Sequence, residues 1–235
     1  MPRLYELAPD FQLVELPPAA PLDDAAEARI AAIWAEETQR GTLLFNGRVY
    51  SLAEHTPARL GVRAGEYRQL VAQRRAPELA AHGLALRPVG VTGLLVAHDG
   101  VVLGRRAGHL AADAGLWETA PSGSLARLDP AGQLLEELQE ELGIRPDQVS
   151  PPRPLVLAED RASGTFDIVF RIDTALGGDA IRATYRDSGS DEYSALAIVV
   201  PSDLAAFLAA HAALPIVVPI LRHAGLIGHP TSPSR

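Results

Sequence analysis

The chain reads as an α/β protein, a mixed β-sheet sandwiched by helices and preceded by a smaller α+β extension. Three observations carry this. From Pro88 onward, short aliphatic runs alternate with polar turns, as buried strands require. Among them lies one strongly amphipathic stretch, residues 130–142, with apolar residues at helical spacing. Before residue 88 the pattern differs, with strand-like pieces and helical segments interrupted by prolines. The division expected is 1–87 for an extension docking on the core, 88–226 for the main domain and 227–235 for a flexible tail.

Residues 1–21 are strand-like pieces broken by Pro2, Pro9, Pro17, Pro18 and Pro21. Asp23 and Asp24 then supply an N-cap and first-turn charge for a helix through about Thr38, with Ala28, Ile30, Ile33 and Trp34 available for packing and Gly41 ending it. Residues 43–50 suggest a hairpin turning at Asn46-Gly47. Helical spacing returns over 64–82, with Tyr67, Leu70, Val71 and Leu79 on the buried side and a break at Pro77.

A buried strand is expected at 89–97, a tight turn at Asp99-Gly100, and a return strand at 101–104 ended by Arg105 and Arg106. The loop 107–115 leads to a short strand at 116–120, where Trp117 packs beneath the loop. Asp129 and Pro130 form a helix start as N-cap and first helical residue, and Gly143 a stop. Strands at 155–158 and 165–172 flank a turn at 161–164, with Glu159, Asp160 and Asp167 expected to be exposed. A polar loop at 188–192 precedes a strand at 196–200. Two helices close the chain: 202–211, capped by Ser202, and 214–226, kinked at Pro219.

With 235 residues, 47% of them hydrophobic, and a net charge of -8, the composition is that of a soluble globular protein. The acidic balance argues against a nucleic-acid phosphate surface. There are no cysteines, which excludes disulfides and thiolate metal sites. No apolar run approaches membrane-spanning length and the opening residues hold no basic region followed by a sustained apolar stretch, so a cytoplasmic location and no membrane partner are expected.

Residues 136–144 read Glu-Glu-Leu-Gln-Glu-Glu-Leu-Gly-Ile. On a helix, Glu136, Glu140, Glu137 and Glu141 spread over one arc of about 140°, while Leu134, Leu138, Leu142 and Leu135 fall on another of about 100°. The like-charge pairs four apart cost on the order of 0.2–0.5 kcal/mol each, and acids near a helix C-terminus oppose its dipole. A hard divalent cation, which takes oxygen ligands, would offset both. A solvated acidic face is the competing explanation. Ser122-Gly123 adds a turn in which glycine lets backbone approach a metal or phosphate.

Preceded by Gly115-Leu116-Trp117-Glu118 and Pro121-Ser122-Gly123, this helix resembles the Nudix hydrolase signature, a glycine-containing loop leading into Arg-Glu-aliphatic-x-Glu-Glu-x-Gly-aliphatic. Eight of the nine helix positions fit or are unrestricted. Glu136 stands where the family has arginine. Leu128 stands where it has a loop glutamate, with Asp129 one position later. The resemblance covers residues 88–226 and implies a Nudix-type α/β/α sandwich with a mixed sheet. It also implies Mg²⁺ or Mn²⁺ held by Glu137, Glu140 and Glu141, a loop carbonyl near Ser122 and Gly123 as a further ligand, and Glu137 or Glu192 as proton acceptor. Arg105 and Arg106, otherwise surface residues, are suited to diphosphate oxygens. Asn46 and Arg48 are either a hairpin tip and a solvated strand residue or a wall of the substrate pocket.

More loosely, the Ile-Trp helix, the Leu-Phe-Asn-Gly segment, Tyr67-Arg68 and the Pro-x-Gly-Val entry to the first core strand resemble the Nudix UDP-glucose diphosphatase branch that carries an N-terminal extension. This implies a small-molecule nucleoside diphosphate derivative as partner, cleaved to a nucleoside monophosphate and a sugar 1-phosphate. ADP-ribose hydrolysis, or a catalytically weak nucleotide-binding or regulatory module, are the alternatives. A homodimer is left open.

Overall fold

The computed structural model describes residues 2–40, 45–110 and 112–228. The helix stop expected at Gly41, the residues Leu43 and Leu44 of the expected hairpin, and nearly all of the tail lie outside them.

Strands β1 (Arg3–Glu6) and β2 (Gln12–Glu15) precede helix α1 (Asp24–Gln39). Asp23 caps α1, its carboxylate accepting from the Ala26 amide at 2.8 Å, as its position before the first turn requires. A long hairpin follows, β3 (Arg48–Thr56) and β4 (Arg59–Glu66), turning at residues 57–58. The second strand of the expected hairpin is present, but it pairs forward with β4. The helix expected from residue 64 is corrected too, because Leu60 and Val62 alternate inward as far as Glu66 before α2 (Tyr67–Arg75) begins. Pro77 then opens a 3₁₀ turn, Pro77–His82, at the expected break. β2, β4 and β3 form a three-stranded sheet in that order.

The main domain contributes β5 (Val89–Ala97), β6 (Gly100–Arg106), the short strands β7 (Trp117–Thr119) and β8 (Ser122–Ser124), and α3 (Pro130–Leu142). Strands β9 (Arg153–Asp160) and β10 (Thr165–Asp173), helix α4 (Gly178–Ser188), β11 (Tyr193–Val199), α5 (Leu204–Ala210) and α6 (Val217–His223) complete it. The main sheet runs β1-β9-β10-β5-β6-β11. It is mixed, with β10 and β5 parallel and the other pairs antiparallel.

Along β5 the side chains alternate between two cores. Val89, Val91 and Leu95 join Leu134, Leu138 and Leu142 of α3, together with Leu60 and Val62 of the small sheet. Leu94 faces the other way, into a cluster with Val156, Val169, Leu204, Val217 and Ile220. Helices thus cover both faces, as expected.

Three details differ from expectation. α4 is an additional helix, amphipathic through the buried Ile181. Ser202 lies in a 3₁₀ turn, Pro201–Asp203, and donates to Asp203 instead of capping α5. Pro219 is the third residue of α6, where a missing N–H removes no helical bond, so it gives no kink.

One departure from regularity positions the site. β5 and β6 pair only at Val96–Val101 and Ala97–Gly100; beyond that β8 takes the freed edge of β5 and β7 that of β6. The sheet forks, and a cleft opens there.

Candidate active site

The cleft measures about 800 Å³. Gly90 and Thr92 of β5 and the β7–β8 segment floor it, Glu137 and Glu141 of α3 flank it, and Leu70 and Arg74 of α2 reach its margin.

α3 divides its glutamates into two pairs. The helix starts at Asp129, whose carboxylate accepts from the Gly132 amide at 3.0 Å, and ends at Gly143 with φ 68°. Asp129 is therefore a cap. Gln133, Glu137 and Glu141, four apart, form one stripe beside the leucine stripe. The Gln133 amide donates to the Ser124 carbonyl and, at 3.3 Å, to Glu137 Oε1, while accepting from the Ala126 amide at 2.8 Å. This pins the stripe against the β8 segment. A Cβ at Gly123 would overlap the Glu137 carboxylate; only bare backbone admits it so close. Glu141 is buried, and its Oε2 accepts from the Ser122 amide at 3.1 Å and from the Tyr193 hydroxyl at 2.6 Å.

Glu136 and Glu140 are exposed and do not line the cleft. Glu136 accepts from Arg127 at 2.5 Å. The position that holds arginine in the Nudix signature is thus an acid with its own guanidinium partner, and Glu137 is left with the Gln133 amide. Leu128 is 41% exposed. Among the described residues, no three acidic or histidine side chains converge as a metal-binding cluster.

Consecutive strand residues face opposite ways, and Arg105 and Arg106 diverge accordingly. Arg106 lines the cleft and donates to Glu118 at 2.8 Å, with Glu192 at 3.6 Å. Arg105 is exposed and donates to the Gly115 carbonyl at 3.1 Å, away from the cleft. Asn46 bonds Glu66 and the Arg68 amide, and Arg48 donates to the Tyr50 hydroxyl at 3.3 Å. Neither lines the cleft. They brace the junction of small sheet and α2.

Sequence patterning missed Glu118, Asp167 and Tyr193. Glu118 is 5% exposed, and burial pushes its carboxyl up to about 7 against the opposing pull of Arg106. Asp167, expected at the surface, is half-buried in the cleft wall; it accepts from Thr92 Oγ1 at 3.2 Å and burial raises it to about 6. Glu159 and Asp160 are likewise half-buried: Glu159 accepts from the Tyr5 hydroxyl at 2.8 Å, and Asp160 caps the turn at Ala162. Burial also raises Glu137, and raises Glu141 further. Trp117 packs edge-on against Phe207, ring centroids 5.0 Å apart, so its role is structural.

No helix among the described residues is long and apolar enough to cross a membrane. No family model matches the chain, and no curated protein does. Solved structures overlap it in part. The Nudix domain of Shewanella oneidensis NrtR, solved with ADP-ribose, is 13% identical over 64% of this chain and 96% of its own, with a TM-score of 0.44. RenU, a Nudix hydrolase from M. smegmatis, is 15% identical over 62% and 91%, TM-score 0.43. A Nudix hydrolase from Nitrosomonas europaea is 19% identical over 58% and 87%, TM-score 0.40.

Proposed function

We propose that this chain is a Nudix-type hydrolase that cleaves the diphosphate linkage of a nucleoside diphosphate derivative. A UDP-sugar such as UDP-glucose is the substrate, and Mg²⁺, or Mn²⁺, the ion. The observation that carries this is the pairing of Glu137 and Glu141, one helical turn apart, in a cleft floored by bare backbone at Gly123.

The donor set fits a hard divalent ion. It offers only oxygen, from the half-buried Glu137 and the buried Glu141, and Glu141 Oε1 accepts no hydrogen bond among the described residues. Glu137 and Glu141 would hold the ion; Glu140, the third ligand the resemblance implies, is exposed and outside the cleft lining. When bound, it neutralises diphosphate charge and acidifies a water. Arg106, fixed by Glu118 and Glu192, supplies the cationic group a phosphate oxygen needs. Glu137 or Glu192 takes the proton of the attacking water, and the products are a nucleoside monophosphate and a sugar 1-phosphate.

A panel of UDP-glucose, ADP-ribose and other diphosphates, scored by product mass with and without Mg²⁺, tests this. UMP and glucose 1-phosphate forming only with the ion is the expected result. One observation favours a second reading, a nucleotide-binding module: among the described residues no guanidinium holds Glu137, and Glu136 and Glu140 turn outward. Such a module would bind a nucleotide and release nothing.

A further inference from the structure

We propose that Tyr193 is a positioning residue that clamps Glu141, so that this carboxylate presents a single oxygen, Oε1, to the ion. The inference rests on the hydrolase reading above and specifies how its site is built.

Two donors from different elements converge on one oxygen. The Ser122 amide of β8 and the Tyr193 hydroxyl of β11 both reach Glu141 Oε2, at 3.1 and 2.6 Å. A carboxylate oxygen that accepts two hydrogen bonds has its lone-pair directions filled. Oε1 accepts none among the described residues, and Glu141 borders the cleft. The side chain is thereby held in one orientation with one oxygen to offer.

Tyr193 is itself held. It is 3% exposed, and its carbonyl accepts from the Tyr185 hydroxyl of α4. Packing alone would be served as well by phenylalanine, whereas a buried phenol needs a partner for its O–H, and here that partner is Glu141. The neighbouring Glu192 forms an ion pair with Arg106 at 3.6 Å, so one short segment meets both an acidic and a cationic component of the site. Such outer partners orient first ligands and tune their affinity. A clamped Glu141 is a ligand and not the base, which leaves proton transfer to Glu137 or Glu192.

The test uses the full chain. Tyr193→Phe keeps the ring and deletes only the donor. Its thermal midpoint is expected to fall by only a few degrees for the lost bond, while its affinity for Mn²⁺ alone, measured by calorimetry, falls about tenfold. With a substrate the wild type hydrolyses, kcat falls and KM holds. Mn²⁺ affinity equal to wild type would overturn the clamp and leave the hydrolase reading standing. A wild type that binds no Mn²⁺ would overturn both. If the variant does not fold, the wild type still decides: the buried phenolic proton should give an exchange-protected downfield NMR resonance that shifts on addition of Mg²⁺. Its absence, or indifference to Mg²⁺, would refute the clamp.

Discussion

The two acidic faces of α3 carry the same residue at the same spacing and differ in nearly everything else. Glu136 and Glu140 stand in solvent, the first beside a guanidinium. Glu137, half-buried, and Glu141, buried, stand in a fork of the sheet, with fewer donors among the described residues than a carboxylate can use. What separates them is the surroundings each meets a turn further round: water on one side, on the other the backbone of β8 and the end of β11. A carboxylate in water is satisfied. One drawn out of water with an oxygen unfilled is held less favourably in its charged form, and on the reading proposed above a cation would offset that.

The largest effect that would break this contrast is on turnover. Glu137→Gln and Glu141→Gln should each lower Mg²⁺-dependent hydrolysis by about 10²-fold or more, as measured by product formation under saturating substrate. Glu140→Gln should lower it less. Equal losses at 140 and 141 would show that the outward face joins the ion fully, and the distinction would fail.

The next effect is on stability. Arg106→Gln leaves Glu118 buried without its partner, and chemical denaturation should show a loss of about 3 kcal/mol. An unchanged midpoint would mean that the pair is not held in the folded state.

Asp167 sharpens the comparison as a third inward acid. Its folded value of about 6 lies above the ordinary 3.8. The fold therefore favours its protonated form, and its contribution to stability is present below pH 4 and lost as pH rises through 6. Asp167→Asn removes that dependence, so the variant should gain roughly 3 kcal/mol over wild type at pH 8 and nothing at pH 4. Melting curves across this range check the sign.

The smallest effect belongs to the outer face. Glu136→Gln breaks an exposed ion pair with Arg127 and should change stability by less than about 0.5 kcal/mol. A larger change in thermal midpoint would show that this face is not simply solvated.

What could be seen beforehand follows from the range of the forces involved. α3 was legible because its signals are local: Asp129 and Pro130 at one end, Gly143 at the other, leucines at helical spacing between. Which glutamates turn inward was not, because that depends on β8 and on Tyr193, 52 residues away. β4 escaped notice because Arg59, Gly61, Arg63 and Gly65 dilute its alternation, and α4 because Gly177 and Gly178 open it and Ile181 is its single buried large side chain. Asp167 was misplaced since alternation along β10 assigns it only to the face opposite Phe166 and Ile168, and does not say that this face opens into a cleft. Arg105 and Arg106 are adjacent cations in the sequence, and the pleat turns them to opposite sides.

The first strand of the chain zips onto the far border of the main sheet beside β9, and Leu60 and Val62 are sealed into the same interior as the leucines of α3. The opening third of the polypeptide is therefore woven into the body that carries the site. A shortened version starting near residue 88 would bare oily surface, lose a border strand and strip Leu70 and Arg74 from the margin of the cleft.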